Sequence, residues 1–238
     1  MPVAGPDKAF APTERSALPR RYSAITDLPA EIPIFPLGGA LLFPGASLPL
    51  NIFEPRYLAM VDDALAGTRL IGMIQLAGLA QTGAGDDARA LADVGCAGRI
   101  THFQETDDGR YLIALSGIAR FQVSAELAAE RPYRRVVADW TRYAHDLQAP
   151  PAPLGDAARS ALLAALRAYL DRGGLSAEWS AIEEAPLETL IDSLSAGCPF
   201  TNPEKQALLE AATLAQRCTL LITLLDMERP VQGGGYVQ

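Results

Sequence analysis

Apolar and polar residues alternate in short runs through the first two thirds of the chain, then change period. Residues 32–35, 40–43 and 47–52 are apolar stretches of strand length, with Pro44-Gly45 between the second and third. Proline presets φ at the first central position of a turn and glycine accepts positive φ at the second, so a type II turn is predicted there. Pro55 predicts a helix start over 54–56, since a first-turn proline gives up an N–H that has no helical acceptor. Tyr57, Val61 and Leu65 recur every four residues with Leu58 beside them, giving one apolar face. Gly67 is the expected left-handed stop. Residues 70–76 and 94–105 read as strands, and Asp107-Asp108-Gly109 as a hairpin turn. Tyr111, Ile113 and Leu115 alternate on the returning strand, and Gly117 predicts a bulge. Ala119, Phe121 and Val123, then Val136, Ala138 and Trp140, continue at period two. Many short strands around one early helix predict a small, partly closed β-barrel.

The period changes after LQAPPAPLG, residues 147–155, whose three prolines mark an expected linker. Asp156 is expected to cap a helix with Leu162, Leu163, Leu166, Tyr169 and Leu170 inward, ended by Gly173-Gly174. Pro186 opens a second helix, with Leu187, Leu190, Ile191 and Leu194 on its apolar face. Thr201-Asn202-Pro203-Glu204 is a strong start signal for a third. Leu208, Ala212, Ala215, Cys218, Ile222 and Leu225 then follow at steps of three and four. They predict one uninterrupted helix of roughly 35–40 Å. The expected division is an arm over 1–28, a barrel over 29–146, a linker over 147–155, a helical part over 156–229 and a tail over 230–238.

Composition narrows the function. The net charge of −8 makes nucleic acid and anionic membrane poor partners. Cys96, Cys198 and Cys218 have no C-x-x-C spacing, so reduced, buried thiols are expected rather than a disulfide framework or a zinc site. No apolar run approaches the ~20 residues of a membrane span, and the first residues lack the apolar core of a signal peptide. A cytoplasmic protein is the expectation. Residues 83–88, GAGDDA, fit the loose G-x-G-x-x-[GA] pattern. Two aspartates would face the phosphates, and no long βαβ unit surrounds the motif, so a plain loop and no cofactor are expected. His102 and His145 are the two histidines, and neither lies in H-E-x-x-H; G-x-S-x-G is absent as well. The paired carboxylates read as solvated turns and helix edges. The candidate partner-binding residues are Phe35, Phe43, Phe53 and Tyr57 with Arg56, because aromatics near turns beside an arginine are common anchors. The aromatics equally suit a core, and Arg56 equally suits tying a nearby strand end.

Residues 32–57, IPIFPLGGALLFPGASLPLNIFEPRY, with FPG and FEPRY their most specific parts, resemble the opening of the amino-terminal substrate-binding domain of Lon proteases in its stand-alone bacterial form. LIGMIQ resembles the next strand. VGCAGRITHFQETDDGRYLIALSGIARFQV carries a similar V-G, D-G and L-x-G-x-x-R-F pattern, and PFTNPEKQALLEAATLAQRCTLLITLLD resembles the closing helix. The resemblance runs from about residue 30 to 228. It implies an α+β fold, a PUA-like β pseudo-barrel with one helix followed by a C-terminal helical bundle. It also implies non-catalytic binding of unfolded polypeptide or a protein partner, possible work in protein quality control, and no catalytic residue to carry over. A Lon ATPase would need G-x-x-x-x-G-K-[ST], and Lys8 and Lys205, the only lysines, lie in no such loop. A Lon peptidase would need a Ser-Lys pair in a further domain, for which no sequence is left. No enzyme is therefore expected. The other reading is a small-molecule- or RNA-linked regulatory module, which rests on fold analogy.

Overall fold

A computed structural model describes residues 22–77, 90–148 and 154–227. The loop residues 78–89 with their GAGDDA motif, linker residues 149–153 and the two chain ends lie outside the described residues. Six strands, β1 (Glu31–Pro36), β2 (Ser47–Ile52), β3 (Leu70–Leu76), β4 (Leu91–Glu105), β5 (Tyr111–Glu126) and β6 (Arg135–Asp139), form one mixed sheet in the order β2-β5-β4-β3-β1-β6. β1 and β3 are parallel, which requires a crossover. Helix α1 (Pro55–Ala66) lies on that crossover. β5 pairs with β2 through residues 111–116 and with β6 through 122–126, so the sheet curls back on itself as a pseudo-barrel. The fold is α+β, with five further helices after the sheet.

Alternation along the strands feeds two cores. Ile32, Ile34, Leu70, Ile74, Ala97, Phe121, Val136 and Trp140 fill the inside of the curl. Ile71, Met73, Val94, Cys96, Ile100 and Leu115 face the other way, against Tyr57, Met60 and Val61 of α1.

β5 bends at the predicted bulge. Between Gly117 and Ala119 the register against β4 slips, leaving Ile118 as the extra residue. A Cβ on Gly117 would stand 2.0 Å from the Phe43 carbonyl oxygen, so the 41–46 segment presses on bare backbone. The Gly117 N–H donates to the Ala46 carbonyl at 2.9 Å, and the Gly45 N–H to the Gly117 carbonyl at 2.9 Å. This corrects the strand expected over 40–43. Leu41, Leu42 and Phe43 are buried but join no ladder, because the bulge offers a single N–H and C=O, both taken by the turn. The turn itself is as expected: Gly45 has φ 79° and the Ala46 N–H donates to the Phe43 carbonyl at 3.0 Å.

Helix α1 starts at Pro55, and its buried face is Tyr57, Met60, Val61 and Ala64, with Leu58 and Leu65 only partly covered. Gly67 is not left-handed: its φ is −117°. Arg69 takes φ 63° instead, its N–H donating to Ala64 and its carbonyl accepting from Ile100, both at 2.8 Å. Those two bonds set the chain's entry into β3.

The helices α2 (Asp156–Gly173), α3 (Trp179–Glu184), α4 (Leu187–Gly197), α5 (Asn202–Glu210) and α6 (Leu214–Met227) follow. Leu162, Leu166 and Tyr169 of α2 pack with Ile191 of α4 and with Leu221 and Leu225 of α6. Each such side chain contributes about 1.5–3 kcal/mol when fully buried. Gly155, not Asp156, occupies the cap of α2, and Asp156 becomes the first helical residue, facing the positive end of the helix dipole. Gly174 closes α2 at φ 62°, as predicted.

Thr201 caps α5 in a capping box with Glu204, whose carboxylate accepts the Thr201 N–H at 2.8 Å. Thr201→Ala is expected to lower stability by about 1 kcal/mol. The check is a lower urea midpoint at unchanged slope.

The single long terminal helix is the largest correction. The chain breaks at residues 211–213, with Ala211 extended at φ −50°, ψ 124°. Ending a helix frees its last carbonyls. Here arginine side chains take them up. The Arg217 Nε donates to Leu208 O at 3.0 Å, and the Arg120 Nη1 donates to Leu209 O at 3.0 Å and to Ala211 O at 2.6 Å.

Candidate functional site

The five residues singled out in the sequence fall into two settings. The Phe35 and Tyr57 rings meet at a tilt of 49° with centroids 4.3 Å apart. Arg56 lies 4.6 Å over the Tyr57 ring and pairs with Glu54 at 2.9 Å. Phe35, Tyr57 and Phe43 are buried in the core under α1. Phe53, between β2 and α1, is 63% exposed. The structure thus brings Phe35, Arg56 and Tyr57 together and turns Phe53 toward solvent.

A buried polar junction ties the helices to the sheet. Arg120 of β5, 3% exposed, lies against Asp146. Its Nε donates to Asp146 Oδ2 at 2.9 Å, its Nη2 to Oδ1 at 2.8 Å, and its backbone N–H to Oδ2 at 3.0 Å. The guanidinium also stacks 4.2 Å over Tyr143. Burial alone would lower the Arg120 pKa, but the Asp146 carboxylate outweighs it and holds the group above its usual value. Arg217 of α6 pairs with Asp192 of α4 at 2.7 Å and lies 4.2 Å over Phe43. Desolvation pushes it down, against the pull of Asp192, yet a guanidinium stays protonated. Lys205 donates to Gly39 O at 2.8 Å and Ala196 O at 2.9 Å. Gln206 donates to Val94 O at 3.0 Å.

Arg120 is the arginine of the L-x-G-x-x-R-F run. The strand pattern gave it no special place, since an alternating strand does not announce a buried cation. The junction joins β5 to the α5–α6 break and α6 to α4. Burial pushes the Cys198 thiol up to about 11 and raises Cys218 as well. Such thiols are inert. Among the described residues, no group of three or more His, Cys, Asp or Glu could hold a metal ion.

A third region is open. The pairings align Leu70, Arg99, Ser116 and Ser47 across β3, β4, β5 and β2. The next outward rows are His102, Ala114 and Pro49, then Gln104, Leu112 and Asn51. Cross-strand partners share a face. Leu70 belongs to the core inside the curl, so these rows continue the inner face beyond it as a shelf. The shelf carries a groove of about 280 Å³, lined by Pro49, Leu50, Asn51, His102, Leu112 and Ile113. Leu112 on its floor is 37% exposed. At the inner end, the Arg99 Nε is buried without a hydrogen-bond partner. Among the described residues, the Arg99 guanidinium has no ion pair.

A curled mixed sheet, one helix on its crossover and a helical bundle clamped on by buried arginines can be compared with known proteins. A profile of the ATP-dependent protease La (LON) substrate-binding domain matches residues 31–227. The chain belongs to this family. LON substrate-binding domain structures share its fold. The Lon N-terminal domain protein from Xanthomonas campestris aligns with a TM-score of 0.53 and 21% identity, over 81% of this chain and 97% of that one. The N-terminal domain of the Mycobacterium avium complex Lon protease aligns with a TM-score of 0.56 and 17% identity, over 83% and 99%. In sequence, Lon protease 2 of Myxococcus xanthus is 28% identical and the Lon protease of Anaeromyxobacter dehalogenans 29%, each over 86% of this chain. The chain spans about a quarter of the length of these relatives, 24% in both cases. Among the described residues, no helix of this LON-domain chain is long and apolar enough to cross a membrane.

Proposed function

We propose that this chain is a receptor for exposed, unfolded polypeptide, which it holds by shape and apolar contact without breaking bonds. The observation that carries the reading is the match of residues 31–227 to a domain described as substrate-binding in an ATP-dependent protease. The buried arginine junction fits a rigid frame, and exposed Phe53 and the apolar shelf supply contact surface. In this reading Phe53 meets the partner, while Phe35, Phe43 and Tyr57 hold the wall behind it and Arg56 orders the edge. The protein then serves protein quality control in the cytoplasm.

The test is fluorescence anisotropy with one labelled model protein, offered folded and then permanently unfolded. The unfolded form is expected to bind at tens of micromolar and the folded form not to bind. Phe53→Ser should weaken binding several-fold at an unchanged unfolding midpoint, since the side chain is exposed. Equal affinity for both forms, or none for either, would remove the reading.

A further inference from the structure

Pro49 and Leu112 of the shelf are apolar and exposed, its inner end carries a cation, and the chain's own packing closes it there. Pro49 and Leu112 line the groove of about 280 Å³, and buried Ala114 stands opposite Pro49 on the same face. From Leu112 to Ser116 along β5 the shelf is roughly 13 Å long, at about 3.3 Å per residue. That accommodates about four residues of extended chain. Beyond Arg99 the same face runs into Leu70, Phe121, Ile32 and Trp140, which fill the inside of the curl. A chain lying on the shelf and reaching Arg99 has nowhere to continue.

Charge points the same way. Most buried or half-buried arginines here have a carboxylate: Arg120 has Asp146, Arg217 has Asp192, and Arg134 has Glu126. Arg99 is half-buried, its Nε has lost water, and no described acid compensates it. A guanidinium takes up a carboxylate through two parallel hydrogen bonds, and such charge-assisted bonds are the strong ones.

We propose that the shelf binds the carboxyl-terminal end of an unfolded polypeptide, its apolar last side chains on Pro49 and Leu112 and its free carboxylate on the Arg99 guanidinium. This rests on the reading of the chain as a polypeptide receptor and specifies which part of the polypeptide is held. A chain terminus is favoured over an acidic side chain because the packed interior leaves no exit past Arg99. Pro49 suits the floor, since its ring is apolar and it lies on an edge strand where a missing N–H breaks no ladder bond.

The experiment uses the full chain and an amino-terminally labelled decapeptide ending in Ala-Leu, as the free acid and as the amide. The acid is expected to bind, with amidation weakening it by about ten-fold or more. Arg99→Gln should weaken the acid by the same factor and leave the amide unchanged, so the two changes do not add. Leu112→Glu should abolish binding of both peptides, while Leu175→Glu, at an exposed leucine on the helical side, should change nothing. Equal affinity for acid and amide on the unaltered chain overturns the proposal, and needs no variant to fold. If the unfolded protein still binds in that case, the shelf assignment alone has failed; if it does not, the receptor reading fails too. Loss of both peptides equally in Arg99→Gln, with its unfolding midpoint kept, also overturns it.

Discussion

Asp146→Ala is expected to destabilise the protein by about 3–5 kcal/mol, the usual result of stripping the partner from a buried charge. Arg120 is 3% exposed and Asp146 6% in their side chains, so water cannot take the carboxylate's place. The substitution also removes the acceptor of the Arg120 backbone N–H. The freed guanidinium still bonds Leu209 and Ala211, so the damage should concentrate at the α5–α6 break. Hydrogen exchange should show the amides around residues 208–218 opening first, and urea unfolding should give the loss directly. The double variant Arg120→Met with Asp146→Leu should lose less than the two single losses added, because no lone charge is left behind. An Asp146→Ala protein with an unaltered midpoint would mean that the junction does not clamp the helices to the sheet.

Gly117→Ala is the second large effect. One methyl group would have to stand 2.0 Å from the Phe43 carbonyl oxygen, and the second-nearest atom, the Phe43 carbonyl carbon, is at 2.8 Å. Both are backbone, so no side-chain rotation relieves the clash. The 41–46 segment must lift off β5, giving up its bonds to Gly117 and part of the burial of Leu41, Leu42 and Phe43. Overpacking of this kind costs about 1–3 kcal/mol, and more where backbone must move. A loss at or above the top of that range is expected, read as a lower thermal midpoint. Gly155→Ala serves as control, because a Cβ there meets nothing within 4 Å and leaves stability nearly unchanged.

Much of the sheet was legible, because period-two alternation and turn residues act locally. β2 runs over 47–52 as read, and the 106–110 turn forms with Thr106 N–H donating to Arg110 O at 2.9 Å. What failed was set from a distance. The 40–43 segment has strand composition, but its register against β5 is taken by the bulge. Gly67 has the composition of a helix stop, but bonds to Ala64 and Ile100 place the left-handed residue at Arg69. The α5–α6 break contains no glycine or proline, and its apolar spacing runs straight through. A local sign did exist: Thr213 Oγ1 accepts the Gln216 N–H at 3.2 Å, and Gln216 Oε1 accepts the Ala212 N–H at 3.2 Å. Thr-x-x-Gln is the spacing of a helix start, here set inside a helical pattern. The shelf was the least readable. Pro49, Leu112 and Arg99 lie on three strands and share a face only through register. Of the aromatic candidates, composition could not separate Phe53 from the buried three, because exposure depends on where β2 stops.

Pro49 has a further consequence. β2 is the last strand of the sheet, and an open margin of that kind invites copies of one protein to zip together into polymers. A ring nitrogen in the middle of the margin interrupts the row of donors that zipping needs. The proline thereby works against edge-to-edge assembly at concentrations where an unbroken margin would gel.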